Sequence, residues 1–164
     1  MRFTTSELAD RLGGTLIGPD VTVDGASIDS RSLVAGQLFV PIVAARDGHG
    51  FIGAAVDAGA PAYLTTQPVA EARASAVVVA DTAASLLELG RVARDRIGDA
   101  GGGVIGITGS VGKTTTKDLL RACLAAAFPT AASERSYNNE LGVPLTLLNT
   151  ADDVRWVVLE MGAR

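Results

Sequence analysis

The stretch VIGITGSVGKTTTKDLL, residues 104–120, constrains this chain more than any other. An apolar run gives way to Gly109 and Gly112, then to Lys113, three threonines and the apolar spacing of a helix. A helix that begins here presents unpaired N–H groups and the positive end of its dipole at the turn. The two glycines let the backbone curl so that successive N–H groups converge, which is how a strand–helix turn holds phosphate oxygens. Lys113 adds a charge for the outer phosphates, and Thr114 offers a hydroxyl to Mg²⁺. The strict form of the motif has glycine five positions before Gly112, where this chain has Ile107. The shorter G-x-x-G-K-T-T remains. The bland alternative is a strand–helix turn with an incidental lysine. Lysine is scarce, however: Lys113 and Lys117 stand against twelve arginines. The flanking strand and helix therefore favour bound nucleotide phosphate, with Mg²⁺ at the Thr114 hydroxyl. Gly109, Ser110, Val111, Gly112, Lys113, Thr114 and Thr115 are its expected cradle, and Lys113 the expected catalytic group.

Glu160 closes the apolar run VRWVVLE. In a parallel sheet, ligands bind beyond the carboxyl ends of the strands. A carboxylate there, beside a phosphate-binding loop, is a candidate Mg²⁺ ligand together with Thr114. The alternative is a glutamate that merely ends a strand at the solvent boundary.

The rest of the chain reads as α/β. TTSELADRLGG carries a capping box from Thr4 to Glu7 and glycine stops at Gly13 and Gly14. Turns are expected at Gly18-Pro19-Asp20 and Asp24-Gly25. QLFVPIV, PAYLTT and SAVVVA read as strands, FIGAAVDAGA as a short helix. Asp81 caps a longer helix with Leu86, Leu89, Val92 and Ala93 on one face. Alternation of strand and helix implies a largely parallel sheet. After the loop, Leu119, Leu120, Cys123, Leu124, Ala127 and Phe128 read as one apolar stripe, with Cys123 in the core. NNELGVPLTLLN reads as a loop entering a short helix, with Pro144 in its first turn.

The glycine run GDAGGG, residues 98–103, divides the chain. Two domains are expected: residues 1–98 as a small α/β domain, and residues 99–164 as the start of a parallel-sheet P-loop ATPase domain. The net charge of −4 leaves no basic footprint for nucleic acid. No run reaches the roughly 18 apolar residues of a membrane helix. The start has no signal-peptide core, and one cysteine makes no disulfide framework. A cytoplasmic enzyme or binding protein is the expectation.

Three segments together, GITGSVGKTTTKDLL, SYNNELGVPLTLLN and VVLEMGA, resemble the Mur ligases, ATP-dependent ligases of peptidoglycan precursors. ASIDSRSLVAGQLFVPIVAARDGHGFIGAAVDAGA is similar to that family's N-terminal, UDP-sugar-binding domain. The asparagine pair followed by GVPLTLL favours the branch that adds D-alanyl-D-alanine over the branch that adds a diamino acid. The resemblance implies a reaction. ATP would phosphorylate the terminal carboxylate of a UDP-MurNAc-tripeptide and leave as ADP, and the amine of D-alanyl-D-alanine would attack the acyl phosphate, giving the amide and phosphate. It also implies site residues. Asn138 and Asn139 would lie near nucleotide or metal. Ser30, Arg31, Asp47, Gly48 and His49 would line the UDP-sugar site. Each has a plainer reading: Ser30-Arg31 as an ordinary turn, His49 as a solvated loop residue, Asn138-Asn139 as helix caps. Family members are much longer. They carry a further lysine and a histidine at the metal centre and a C-terminal domain, so the resemblance implies that this chain alone is inactive. Another Mur-type ligase, or a non-catalytic UDP-sugar- or nucleotide-binding module, stays open.

Overall fold

A computed structural model describes residues 1–69, 73–133 and 138–162. The chain divides into two compact units, residues 2–88 and residues 89–164 with Met1.

The first unit opens with strand β1 (Arg2–Thr4), helix α1 (Thr5–Leu12) and strands β2 (Thr15–Ile17), β3 (Thr22–Asp24), β4 (Ala26–Ser27) and β5 (Leu38–Phe39). A 3₁₀ turn at Gly48–Phe51 leads into α2 (Ile52–Asp57), followed by β6 (Ala62–Thr65), β7 (Ser75–Val78) and α3 (Thr82–Asp99). Helix α1 begins as its sequence dictates: the Thr4 hydroxyl accepts from Glu7 N–H at 3.2 Å. It stops at Gly13, whose φ of 60° is left-handed. Asp81 caps α3 through Oδ1, which accepts from Ala83 and Ala84 N–H at 2.8 and 2.9 Å.

Five strands form one sheet in the order β2-β7-β6-β5-β4. Its pairings are parallel except β2 with β7. The expected parallel sheet is therefore present with one antiparallel edge, and β1 pairs with β3 in a separate antiparallel ribbon. Phe39, Ala55, Ala60, Tyr63 and Ala76 form a buried cluster between sheet and helix. The apolar run QLFVPIV yields a strand of only two residues. Val40 is still buried, but Pro41 has no N–H to continue a ladder.

The division between the units falls within α3, ahead of the glycine run where the sequence suggested it. A continuous helix gives no compositional signal of a boundary inside it.

The second unit adds β8 (Gly103–Ile107), α4 (Lys113–Ala125), β9 (Thr130–Ala132), α5 (Gly142–Leu148) and β10 (Trp156–Glu160). Its sheet has the order β8-β10-β9, with both pairings parallel. Val157, Val158 and Leu159 of β10 are buried. Leu89, Val92 and Ala93 of α3 are buried as well, and Gly90 lies close against Pro144, where a Cβ would stand 2.6 Å from the ring.

The expected stripe on α4 is not a core face. Leu119 is 64% exposed, Phe128 47%, and Cys123 is exposed, against the expectation of a core cysteine. The face that meets the sheet instead runs Lys117, Leu120, Leu124, three and four residues apart. Leu119 and Cys123 precede Leu120 and Leu124 by one residue, which rotates them about 100° around the helix. The sequence offered two adjacent apolar rows, and reading them as one placed the core too wide.

Candidate functional site

The glycine loop sits where a parallel sheet leaves room for a ligand. Strand β8 ends at Ile107, five residues turn, and α4 starts at Lys113. Gly109 has φ 147° and Gly112 has φ 80°, so both turns depend on glycine. Lys113 folds back over the loop, its Nζ donating to the Gly109 carbonyl at 2.6 Å. Val111 stands at the tip, 91% exposed. Ser110 on the same turn and Thr115 in the first turn of α4 are exposed. The loop is thus closed by its own lysine, with the start of an α-helix beneath it.

Thr114 and Glu160 meet beside this loop. Thr114 Oγ1 donates to Glu160 Oε2 at 2.8 Å, joining α4 to the end of β10. Parallel pairing sets Glu160 level with Ile107, the last residue before the loop. Glu160 is only 9% exposed. A hydroxyl and a carboxylate this close are two hard oxygen donors, which suits Mg²⁺. Among the described residues no three His, Cys, Asp or Glu side chains gather.

Asn138 and Asn139 lie close by along the backbone. The Asn138 carbonyl accepts from Gly162 N–H at 2.8 Å, just beyond Glu160. Asn139 Oδ1 accepts from Gly142 N–H, also at 2.8 Å, at the first residue of α5. Its side chain is engaged as a helix cap in this structure.

The first unit holds a separate cavity of about 440 Å³, lined by Ile28, Asp29, Ser30, Arg31, Arg46 and Phe51. Ser30 and Arg31 both line this cavity. Arg46 and Phe51 share the lining, although nothing in the local sequence links residue 46 or 51 to the turn at 28–31. Arg31 forms a fork on Asp29, with Nε to Oδ1 at 2.9 Å and Nη2 to Oδ2 at 2.6 Å. That hydrogen-bonded guanidinium, with the Arg31 backbone N–H, holds the Asp29 carboxyl at about 2, below its ordinary 3.8. A depressed carboxylate pKa means the pairing is intact above about 3.8 and is lost as pH falls through about 2. A ¹³C carboxyl titration of Asp29 should accordingly find its midpoint near 2, whereas a midpoint near 3.8 would show the fork absent in solution.

Asp47, Gly48 and His49 build the loop that carries Arg46 and Phe51. Asp47 Oδ1 accepts from His49 N–H at 2.9 Å and lies 2.6 Å from His49 Nδ1. These bonds lower the Asp47 pKa. His49 Nε2 accepts from Thr66 N–H at 3.1 Å, which assigns the proton to Nδ1. His49 is therefore buried with both ring nitrogens used inside the protein, neither solvated nor turned outward. Gly48 packs on the chain at Ile42: an added Cβ would stand 2.6 Å from its nitrogen and 2.8 Å from its oxygen. Gly48→Ala should therefore destabilise the first unit by about 1–3 kcal/mol, the range of overpacking. Denaturant unfolding checks this, and a change under 0.5 kcal/mol, about the size of an ordinary surface substitution, would contradict it.

Residues 107–164 match the Mur ligase middle domain, a match that starts at the last residue of β8 and takes in the loop, Thr114 and Glu160. A Bacillus subtilis protein, UDP-N-acetylmuramoyl-tripeptide–D-alanyl-D-alanine ligase, is 36% identical over 99% of this chain. The chain belongs to the Mur ligase family. It spans about a third of the length of the curated relatives it matches. Among solved Mur ligases, the D-alanyl-D-alanyl ligase of Acinetobacter baumannii superposes over 99% of this chain and 37% of its own, with a TM-score of 0.87 and 32% identity. A Thermotoga maritima MurF ligase, solved in complex with ADP, covers 86% of this chain and 32% of its own, with a TM-score of 0.70 and 32% identity.

Proposed function

We propose that this Mur ligase chain supplies the UDP-sugar-binding unit and the phosphate-binding loop of an ATP-dependent ligase that joins D-alanyl-D-alanine to UDP-MurNAc-tripeptide. The observation that carries the reading is the 2.8 Å meeting of Thr114 and Glu160 at the mouth of the glycine loop. Its relatives carry that activity in their names.

The reaction must bring two anions together, the peptide carboxylate and the ATP triphosphate. Loop amides from Gly109 to Thr115 and the Lys113 ammonium offset that repulsion at the phosphates. Lys113 must leave the Gly109 carbonyl to reach them, so phosphate binding exchanges a neutral acceptor for a charged one. Thr114 and Glu160 would hold Mg²⁺, which supplies further charge neutralisation at the phosphate oxygens. Asn138 and Asn139 border this site.

In the first unit, the cavity of Ser30, Arg31, Arg46 and Phe51 is the proposed UDP-sugar site. Two guanidinium groups suit a pyrophosphate, and an aromatic ring suits a uracil face. Asp47, Gly48 and His49 act there by shaping the loop, with the exposed part of Asp47 facing solvent. Among the described residues no helix is long and apolar enough to cross a membrane. A cytoplasmic site of action fits the nucleotide-linked substrate.

Phosphate release with UDP-MurNAc-tripeptide and D-alanyl-D-alanine, measured in a polypeptide of the relatives' full length that contains this chain, tests the assignment. Release that depends on D-alanyl-D-alanine supports it. Release with a diamino acid on the dipeptide precursor instead would assign the other branch.

A further inference from the structure

Helix α4 has one buried residue, and it is a lysine. Lys117 is 5% exposed. A lysine is almost never buried without partners, because desolvating an ammonium is costly. A leucine would fill such a helix position more cheaply, so the bonds Lys117 makes indicate why it is there. Its Nζ donates to the Ser133 carbonyl at 3.0 Å and lies 3.3 Å from Asp118 Oδ1.

Ser133, itself buried, follows β9 directly. The β9–β10 register ends at Ala132 opposite Val158. Ser133 carries the connection further. Its N–H donates to the Val158 carbonyl at 3.0 Å, and its Oγ accepts from Glu160 N–H at 2.8 Å. The backbone of Glu160 is thus fixed by Ser133, and Ser133 is fixed by Lys117. Thr114 and Lys117 stand three residues apart on α4, so one helix holds the end of β10 at two points.

We infer that Lys117, acting through Ser133, is a positioning residue that keeps the Glu160 carboxylate in reach of Thr114 when a divalent cation comes between them. The inference rests on the nucleotide reading proposed above. Thr114 and Glu160 would hold the cation with the oxygens that now hydrogen-bond each other. The Lys117–Ser133 bond would then remain as a polar tie from α4 toward the end of β10. A metal ligand needs such outer support to keep its geometry.

Two variants test this in the chain as it stands. Lys117→Met removes the ammonium and keeps the bulk, and Ser133→Ala removes only the hydroxyl that receives Glu160 N–H. In Lys117→Met, amide exchange at Glu160 should quicken about tenfold or more while Val157 and Val158 exchange as before. Ser133→Ala should do the same with the lysine in place. In both, the Mg²⁺ concentration for half-maximal ATP binding should rise about tenfold, and affinity for ADP without Mg²⁺ should hold. Unchanged Glu160 exchange with an unchanged Mg²⁺ requirement overturns the inference. So does faster exchange throughout the second unit with ADP and Mg²⁺ responses lost together, which is a merely structural role. Should Lys117→Met fail to fold, Ser133→Ala decides alone. If the unsubstituted chain binds ATP with no Mg²⁺ dependence, the nucleotide reading of Thr114 and Glu160 fails. The positioning role fails with it, and a protected Glu160 amide would then mark a purely architectural clamp.

Discussion

Lys113→Ala should weaken ATP binding by about 10- to 100-fold and leave the fold intact. Hydrogen bonds to charged groups contribute about 1.5–3 kcal/mol, and about 1.4 kcal/mol is a factor of ten. Among the described residues the ammonium bonds to the Gly109 carbonyl, and it is partly exposed. The glycine turns, the start of α4 and the β8–β10 pairing do not depend on it. Titration calorimetry with Mg-ATP measures the loss, and circular dichroism checks the fold. Unchanged affinity in a folded variant would mean the loop is an ordinary strand–helix turn.

Glu160→Gln should have the larger effect on the Mg²⁺ response. Glutamine keeps the shape and an oxygen that accepts from Thr114, so the variant should fold. It lacks the charge that draws a hard cation. The Mg²⁺ requirement for ATP binding should rise by more than the about 10- to 100-fold typical of residues that merely support a metal ligand. ADP binding without Mg²⁺ should change little, because the loop amides and Lys113 are untouched. A Mg²⁺ titration identical to that of the unsubstituted chain would return Glu160 to the plainer role of a strand terminus.

Local signals were legible in the sequence, and long-range ones were not. Thr4, Asp81 and Gly13 announce their helix ends because a cap is satisfied within a few residues. The loop at 109–115 and its flanking elements are legible for the same reason. Pairing Thr114 with Glu160 across 46 residues was also within reach, since parallel strands present their carboxyl ends together. Lys117 was not. Nothing within a few residues of it marks it as buried, and only the return of β9 brings Ser133 onto it. Arg46 and Phe51 escaped likewise, because a long loop folds them toward the turn at 28–31. His49 looked like a polar loop residue between two glycines, and its burial depends on Thr66, 17 residues away. The core placement of Cys123 failed by a single helical position.

The central claim is that the two units hold two different ligands, each at its own site. Amide chemical shifts of the chain, followed while UDP-MurNAc-tripeptide and Mg-ATP are added separately, test it most directly. The UDP-sugar should move residues 28–31 and 46–51 and leave the glycine loop alone. Mg-ATP should move residues 108–115 and Glu160 and leave the first unit alone. Shifts from Mg-ATP confined to residues 28–51, with the loop at 109–115 unmoved, would contradict the account.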